Sequence, residues 1–197
     1  MDTIDTQTWI ILFGVAVLVL GGFAAWLIYR RSQTQRLRDR FGPEYNRTVD
    51  DLKSRTKAET NLKEREKRVE RLQIVPLSPS DFARFDQAWK TLQGGFIDNP
   101  RGTLVQADQL VRELMLKRGY PMGDFEHRAA DISVDHPSVV QNYRAAQAIA
   151  LRDERGGAST EELRKAVVHF RVLFNELLES RDAIAASGLA EPIIVHP

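Results

Sequence analysis

The chain has 197 residues and a formal net charge of +1, its 28 Lys and Arg almost balancing 27 Asp and Glu. It contains no cysteine, which removes any disulfide framework or thiolate metal site and leaves the compartment open. The near-neutral total conceals an asymmetry: residues 30–75 carry fourteen Lys and Arg against eight Asp and Glu, whereas residues 76–197 carry fourteen against seventeen.

Residues 1–8 hold Asp2 and Asp5 and no basic residue, the reverse of a signal peptide's positive start. Residues 9–29 then run without a charged side chain, and Arg30 and Arg31 follow at once. At about 1.5 Å per residue this stretch spans roughly 30 Å, the thickness of a bilayer's hydrocarbon core. Twelve strongly apolar side chains favour insertion by about 4–7 kcal/mol, and Trp9, Trp26 and Tyr29 stand near the ends, where aromatic rings prefer the headgroup zone. An uncleaved transmembrane helix is expected. Arg30, Arg31, Arg36, Arg38 and Arg40, opposed only by Asp39, predict a cytoplasmic C-terminal side and contact with inner-leaflet lipid. Gly14, Gly21 and Ala25 leave room for self-association of the span, and the absence of an ionisable residue inside it offers no proton or ion path.

Residues 30–75 read as a basic helical stalk. Phe41-Gly42-Pro43 should end or kink the membrane helix, with a new helix starting at Pro43 or Glu44. No Gly or Pro interrupts residues 45–72, and acid-first pairs recur at helical spacing: Asp51 with Arg55, Glu59 with Lys63, Glu64 with Arg68. Tyr45, Val49, Leu52, Leu62, Val69 and Leu72 form a thin apolar stripe interrupted by Arg55, Thr56 and Glu59. Three readings fit it: a coiled-coil dimer, a lone charge-stabilised spacer, or a helix packed back onto the following domain. Nucleic-acid binding is disfavoured, because only Phe41 and Tyr45 accompany the basic cluster.

Residues 76–180 predict a bundle of four to five helices. Ser80 can cap a helix presenting Phe82, Phe85, Trp89, Leu92 and Phe96, which ends near Gly94-Gly95. Asn99-Pro100 opens a second, with Leu104, Ala107, Val111, Leu114 and Met115 inward and Gly119 as its stop. A third spans 124–132, and a fourth runs from Pro137 to about Asp153 with Val139, Tyr143, Ala146 and Ala150 on one face. Ser159 and Glu162 make a capping box for a fifth, whose stripe is Leu163, Val167, Phe170, Phe174 and Leu177. Residues 181–197, with Ile193, Ile194 and Val195, form a tail that frays or docks. The fold class is all-α: a transmembrane helix, a charged stalk and a C-terminal bundle.

His127, Asp131, Asp135 and His136 form the densest polar cluster, with His169 and His196 elsewhere. Three or four converging ligands would make a metal site, and a poised pair would make an acid–base site. The simpler reading gives Asp135 or His136 a capping role for the helix begun by Pro137 and leaves His127 and Asp131 as an i,i+4 pair. No P-loop, dinucleotide glycine box, nucleophile elbow or H-E-x-x-H occurs, so no catalytic, cofactor-binding or metal-ligating residue is assigned.

The stretches Arg40-Phe41-Gly42-Pro43-Glu44-Tyr45, Arg65-Glu66-Lys67-Arg68-Val69-Glu70 and Ala130-Asp131-Ile132-Ser133-Val134-Asp135-His136-Pro137 resemble a group of bacterial single-span membrane proteins without an assigned activity. The resemblance implies a bacterial inner-membrane setting and no catalytic residue. The leading expectation is a non-enzymatic adaptor presenting a cytoplasmic helical domain to a protein partner. A metal-dependent enzyme or sensor built on the His127 cluster, and a structural homodimer, are the alternatives.

Overall fold

The computed structural model describes residues 6–179; the expectations for the first five residues, for the tail and for His196 lie outside the described residues. Within them every regular element is an α-helix: α1 (Thr6–Phe41), α2 (Pro43–Leu52), α3 (Arg55–Val69), α4 (Pro79–Gly94), α5 (Pro100–Lys117), α6 (Phe125–Asp135), α7 (Val140–Glu154) and α8 (Thr160–Glu179).

One of these, α1, is long and apolar enough to cross a membrane. Its 36 residues correspond to about 54 Å, so it extends well beyond the apolar stretch. Phe13, Leu18, Val19, Leu20 and Phe23 lie exposed along it, whereas Leu37 and Phe41 at its far end are buried. Gly42 then adopts φ 50°, a left-handed value that suits glycine, and Pro43 stands at the first position of α2.

The uninterrupted helix expected over 45–72 is two helices. Lys53 takes a left-handed φ of 50°, and the Ser54 hydroxyl caps α3 by accepting from the Lys57 N–H. The break replaces the expected Asp51–Arg55 pair with Arg47–Asp51 and Arg55–Glu59. The apolar stripe is occupied by the chain's own helices: Tyr45, Leu62 and Val69 pack with Leu37, Phe41 and Val134, with Val49 and Leu72 at the margin. Of the three readings of the stalk, packing back onto the following helices describes this arrangement. Leu52 alone stays exposed.

The remaining helices enclose a larger core. α8 packs against α5 and α7, and its Leu163, Val167, Phe170, Phe174 and Leu177 are all buried, each contributing about 1.5–3 kcal/mol. Phe174 stacks on Trp89 with ring centroids 4.5 Å apart and meets Phe85 edge-on, which ties α4 to α8. Leu104, Ala107, Val111, Leu114 and Met115 of α5 point inward. Asn99 caps α5, and Ser159 and Glu162 form their reciprocal pair at the start of α8. The cap of α4 is Ser78, not Ser80, because Pro79 takes the first helical position and the Ser78 hydroxyl accepts from the Asp81 N–H.

Between α3 and α4, residues 70–78 cross the end of α5. The Val75 N–H donates to the Arg118 carbonyl, and Leu77 is buried. Gly119 makes this crossing possible: its φ is +93°, and a Cβ there would collide with the Gln73 carbonyl oxygen. Buried Arg118 donates to the Leu177 carbonyl near the end of α8.

Candidate functional site

The three sequence stretches 40–45, 65–70 and 130–137 meet in space, and their charged residues form a joint between the end of α1 and the bundle. Pro43 starts α2 so that Glu44 falls in its first turn, where a helix favours negative charge. Glu44 is 1% exposed. Its carboxylate accepts from Arg65 at 3.1 Å and from Arg144 of α7 at 2.8 and 3.3 Å. Arg144 also donates to Glu126 at 2.6 Å, and Arg65 to Asn61 at 2.8 Å.

A second layer lies beside the first. Arg68 donates through Nε at 2.8 Å to one oxygen of buried Asp131, and its Nη2 stands in ion-pair contact with the same oxygen at 2.6 Å. A third joins α1 to α3: Arg40 and Arg36 approach Glu66 at 3.2 and 3.6 Å, close enough for charge attraction but not aligned for hydrogen bonding. Nearer the apolar stretch, Thr34 and the Tyr45 hydroxyl donate to Glu59 at 2.8 and 3.0 Å.

Electrostatics inside the joint follow from crowding. Burial pulls the Arg65 guanidinium below its ordinary range, with Glu44 opposing and the Arg144 and Arg68 cations adding to the depression. Burial acts on Arg144 in the same sense, yet its hydrogen bonds to Glu44 and Glu126 outweigh it, and the net shift is upward. Glu44 is thus the anion on which two part-buried cations depend. An ion network of this kind contributes definition of geometry more than net stability, but removing one member leaves the others desolvated and unmatched.

The His127 cluster disperses. His127 is exposed and pairs with Asp124, the residue that caps α6, rather than with Asp131. Asp131 belongs to Arg68. Asp135 accepts from the Tyr120 hydroxyl, whose ionisation burial and the Asp135 charge push upward. The His136 ring meets Glu176 at 3.0 Å. The expected side-chain cap from Asp135 or His136 is also corrected: α7 begins at Val140 without a side-chain cap, and the His136 backbone carbonyl receives the Val139 and Val140 N–H groups instead. Among the described residues no three His, Asp or Glu side chains are grouped to hold a metal ion. His169 meets Asn142 at 2.8 Å beside the core.

The five arginines assigned to lipid divide into two sets. Arg36 and Arg40 are engaged by Glu66, while among the described residues Arg30, Arg31 and Arg38 form no ion pair. Two surface depressions bear on binding, one bordered by Thr34 and Glu59 of the joint and one apart from it. One is a groove of about 760 Å³ beside α1 where its apolar stretch ends. The other is a trough of about 370 Å³ between α4 and α5, lined by Gln87, Thr91, Gln106 and Gln109 with Leu92 and Leu110 at its floor.

Sequence reasoning missed Glu44, Arg65 and Arg144 as one unit. Glu44 and Arg65 stand inside stretches already singled out, whereas nothing local marks Arg144. No family model, curated protein or solved structure matches the chain, so its functional reading rests on its own residues.

Proposed function

We propose that the protein is a single-pass adaptor of a bacterial inner membrane, with its N-terminus outside and its helical bundle in the cytoplasm, presenting that bundle to a protein partner at a fixed height. The observation that carries this reading is the Glu44–Arg65–Arg144 cluster, which fastens α2 and α3, the two helices that follow α1, to α7 of the bundle. A flexible tether would need no such joint. The arginine-rich flank supports the orientation. On this reading residues 30–75 are the base of the domain and not a free stalk.

The surface proposed for the partner is the trough between α4 and α5, whose rim is mostly uncharged and suits an amphipathic helix. A photo-crosslinking residue at Gln109 of the full chain, in native membranes, tests it. A discrete heterologous adduct, abolished by Gln106→Glu with Thr91→Glu at unchanged melting temperature, is expected. Adducts with lipid or with the protein itself alone would overturn the adaptor reading.

The homodimer reading retains one supporting observation, since the stalk stripe is already covered. Gly14, Gly21 and Gly22 have open space where a Cβ would stand, leaving the α1 surface free for close helix approach. Crosslinking of the full chain in detergent after Gly21→Leu tests whether the span associates.

A further inference from the structure

The groove beside α1 is built by two helices that sequence separates. Thr34 of α1 bonds Glu59 of α3, and Arg36 and Arg40 meet Glu66, so the two helices run in the same direction. Arg55 stands four residues before Glu59, just as Arg30 stands four before Thr34. With equal rise per residue, Arg55 is level with Arg30, where the apolar stretch gives way to charge. α2 has carried the chain back there: its ten residues retrace about 15 Å, nearly the distance from Arg30 to Phe41.

Leu27, Ile28, Arg30, Arg31, Arg38 and Arg55 line the groove. The one acid among its described lining residues, Glu59, already accepts from Thr34 and Tyr45 and pairs with Arg55 at 3.3 Å. The Arg38 guanidinium is steadied over the Tyr45 ring, 5.2 Å from its centroid, and Arg55 donates through Nε to the Tyr45 hydroxyl at 3.2 Å. These contacts raise the Arg55 guanidinium above its ordinary range, first through the Tyr45 hydrogen bond. Two further cations, Arg30 and Arg31, stand at the same level with no carboxylate partner among the described residues.

We infer that this groove seats the headgroup phosphate of an anionic phospholipid, with the acyl chains continuing along Leu27 and Ile28. The proposal rests on the membrane-spanning reading of α1. It goes beyond a generic basic flank because it recruits Arg55, twenty-five residues further along the chain, and excludes Arg36 and Arg40. Guanidinium groups suit phosphate by forked hydrogen bonding, and apolar side chains directly below phosphate-binding ones match a lipid better than a soluble anion.

The test is native mass spectrometry of the delipidated full chain in detergent, titrated with phosphatidylglycerol or phosphatidylcholine. Preferential retention of phosphatidylglycerol is expected. Arg55→Gln should weaken it about fivefold, from about 1 kcal/mol per basic group at a membrane surface, while Lys57→Gln on the same helix leaves it unchanged. Arg31→Gln, which removes no contact inside the protein, should match Arg55→Gln and guards against a folding defect. Equal retention of both lipids, equal effects of Arg55→Gln and Lys57→Gln, or displacement by millimolar inorganic phosphate would overturn the proposal. Alkaline carbonate extraction separates the two levels: release of the wild-type chain defeats the membrane-spanning reading, whereas retention without lipid selectivity defeats only the groove.

Discussion

Glu44 and Arg144 are one hundred residues apart in the chain and 2.8 Å apart in the fold. The contact joins the first turn of α2 to α7, and Arg65 shares the same carboxylate. Arg65 and Arg144 are each only 13% exposed, so neither can recover full hydration if the anion is lost. Glu44→Gln should therefore cost about 3–5 kcal/mol in urea unfolding of the full chain in detergent. Adding Arg144→Gln should cost less than its own single effect, with a coupling of about 1–3 kcal/mol. Strict additivity would mean that the two residues do not act together.

Asp131 and His127 should separate sharply. Asp131 is buried and holds Arg68, so Asp131→Asn is expected to lower stability by about 1–3 kcal/mol. His127 is 67% exposed, and His127→Ala should stay within about 0.5 kcal/mol. Stoichiometric zinc in the purified chain, lost equally in both variants, would restore the metal site that the sequence left open.

Two left-handed glycines make an internal control for backbone strain. Gly119→Ala must adopt φ +93° and push against the Gln73 carbonyl, so a loss of at least about 2 kcal/mol is expected. Gly156 has φ +74° with open space around it, and Gly156→Ala should cost only about 1 kcal/mol. Thermal melting of the two variants side by side measures the difference.

Acid should act through the α6 cap. The His127 N–H, then the His127 ring, hold the Asp124 carboxyl below its usual range. A carboxyl depressed in the folded state adds stability above its unfolded value of about 4 and loses it as pH falls through the lower folded value. Wild type should exceed Asp124→Asn in melting temperature near neutrality, with the gap closing below about pH 4. A gap that widens on acidification would reverse the assignment.

The bundle helices were legible because local signals agreed: Asn99-Pro100, Ser159 with Glu162, and the α8 stripe each act within one or two turns. The break at Lys53 was harder, since neither Gly nor Pro marks it. A trace was present all the same. At about 100° per residue, buried Tyr45 is roughly 100° out of phase with the buried pair Leu62 and Val69. A single straight helix cannot bury both against one neighbour, and the chain turns. The joint was not legible as a site because its charges read locally as helix-surface pairs. Glu64–Arg68 looked sufficient until Asp131, from α6, took Arg68.

Because α1 continues without a break from the apolar stretch to Leu37 and Phe41, and these are gripped by α3 and α6, a membrane-spanning α1, as proposed above, would form a lever with the bundle. A tilt of about 10° over its roughly 54 Å would swing the far end by about 9 Å. On the proposed membrane-spanning reading, a change in bilayer thickness that α1 met by tilting would be felt as a change in where the domain points.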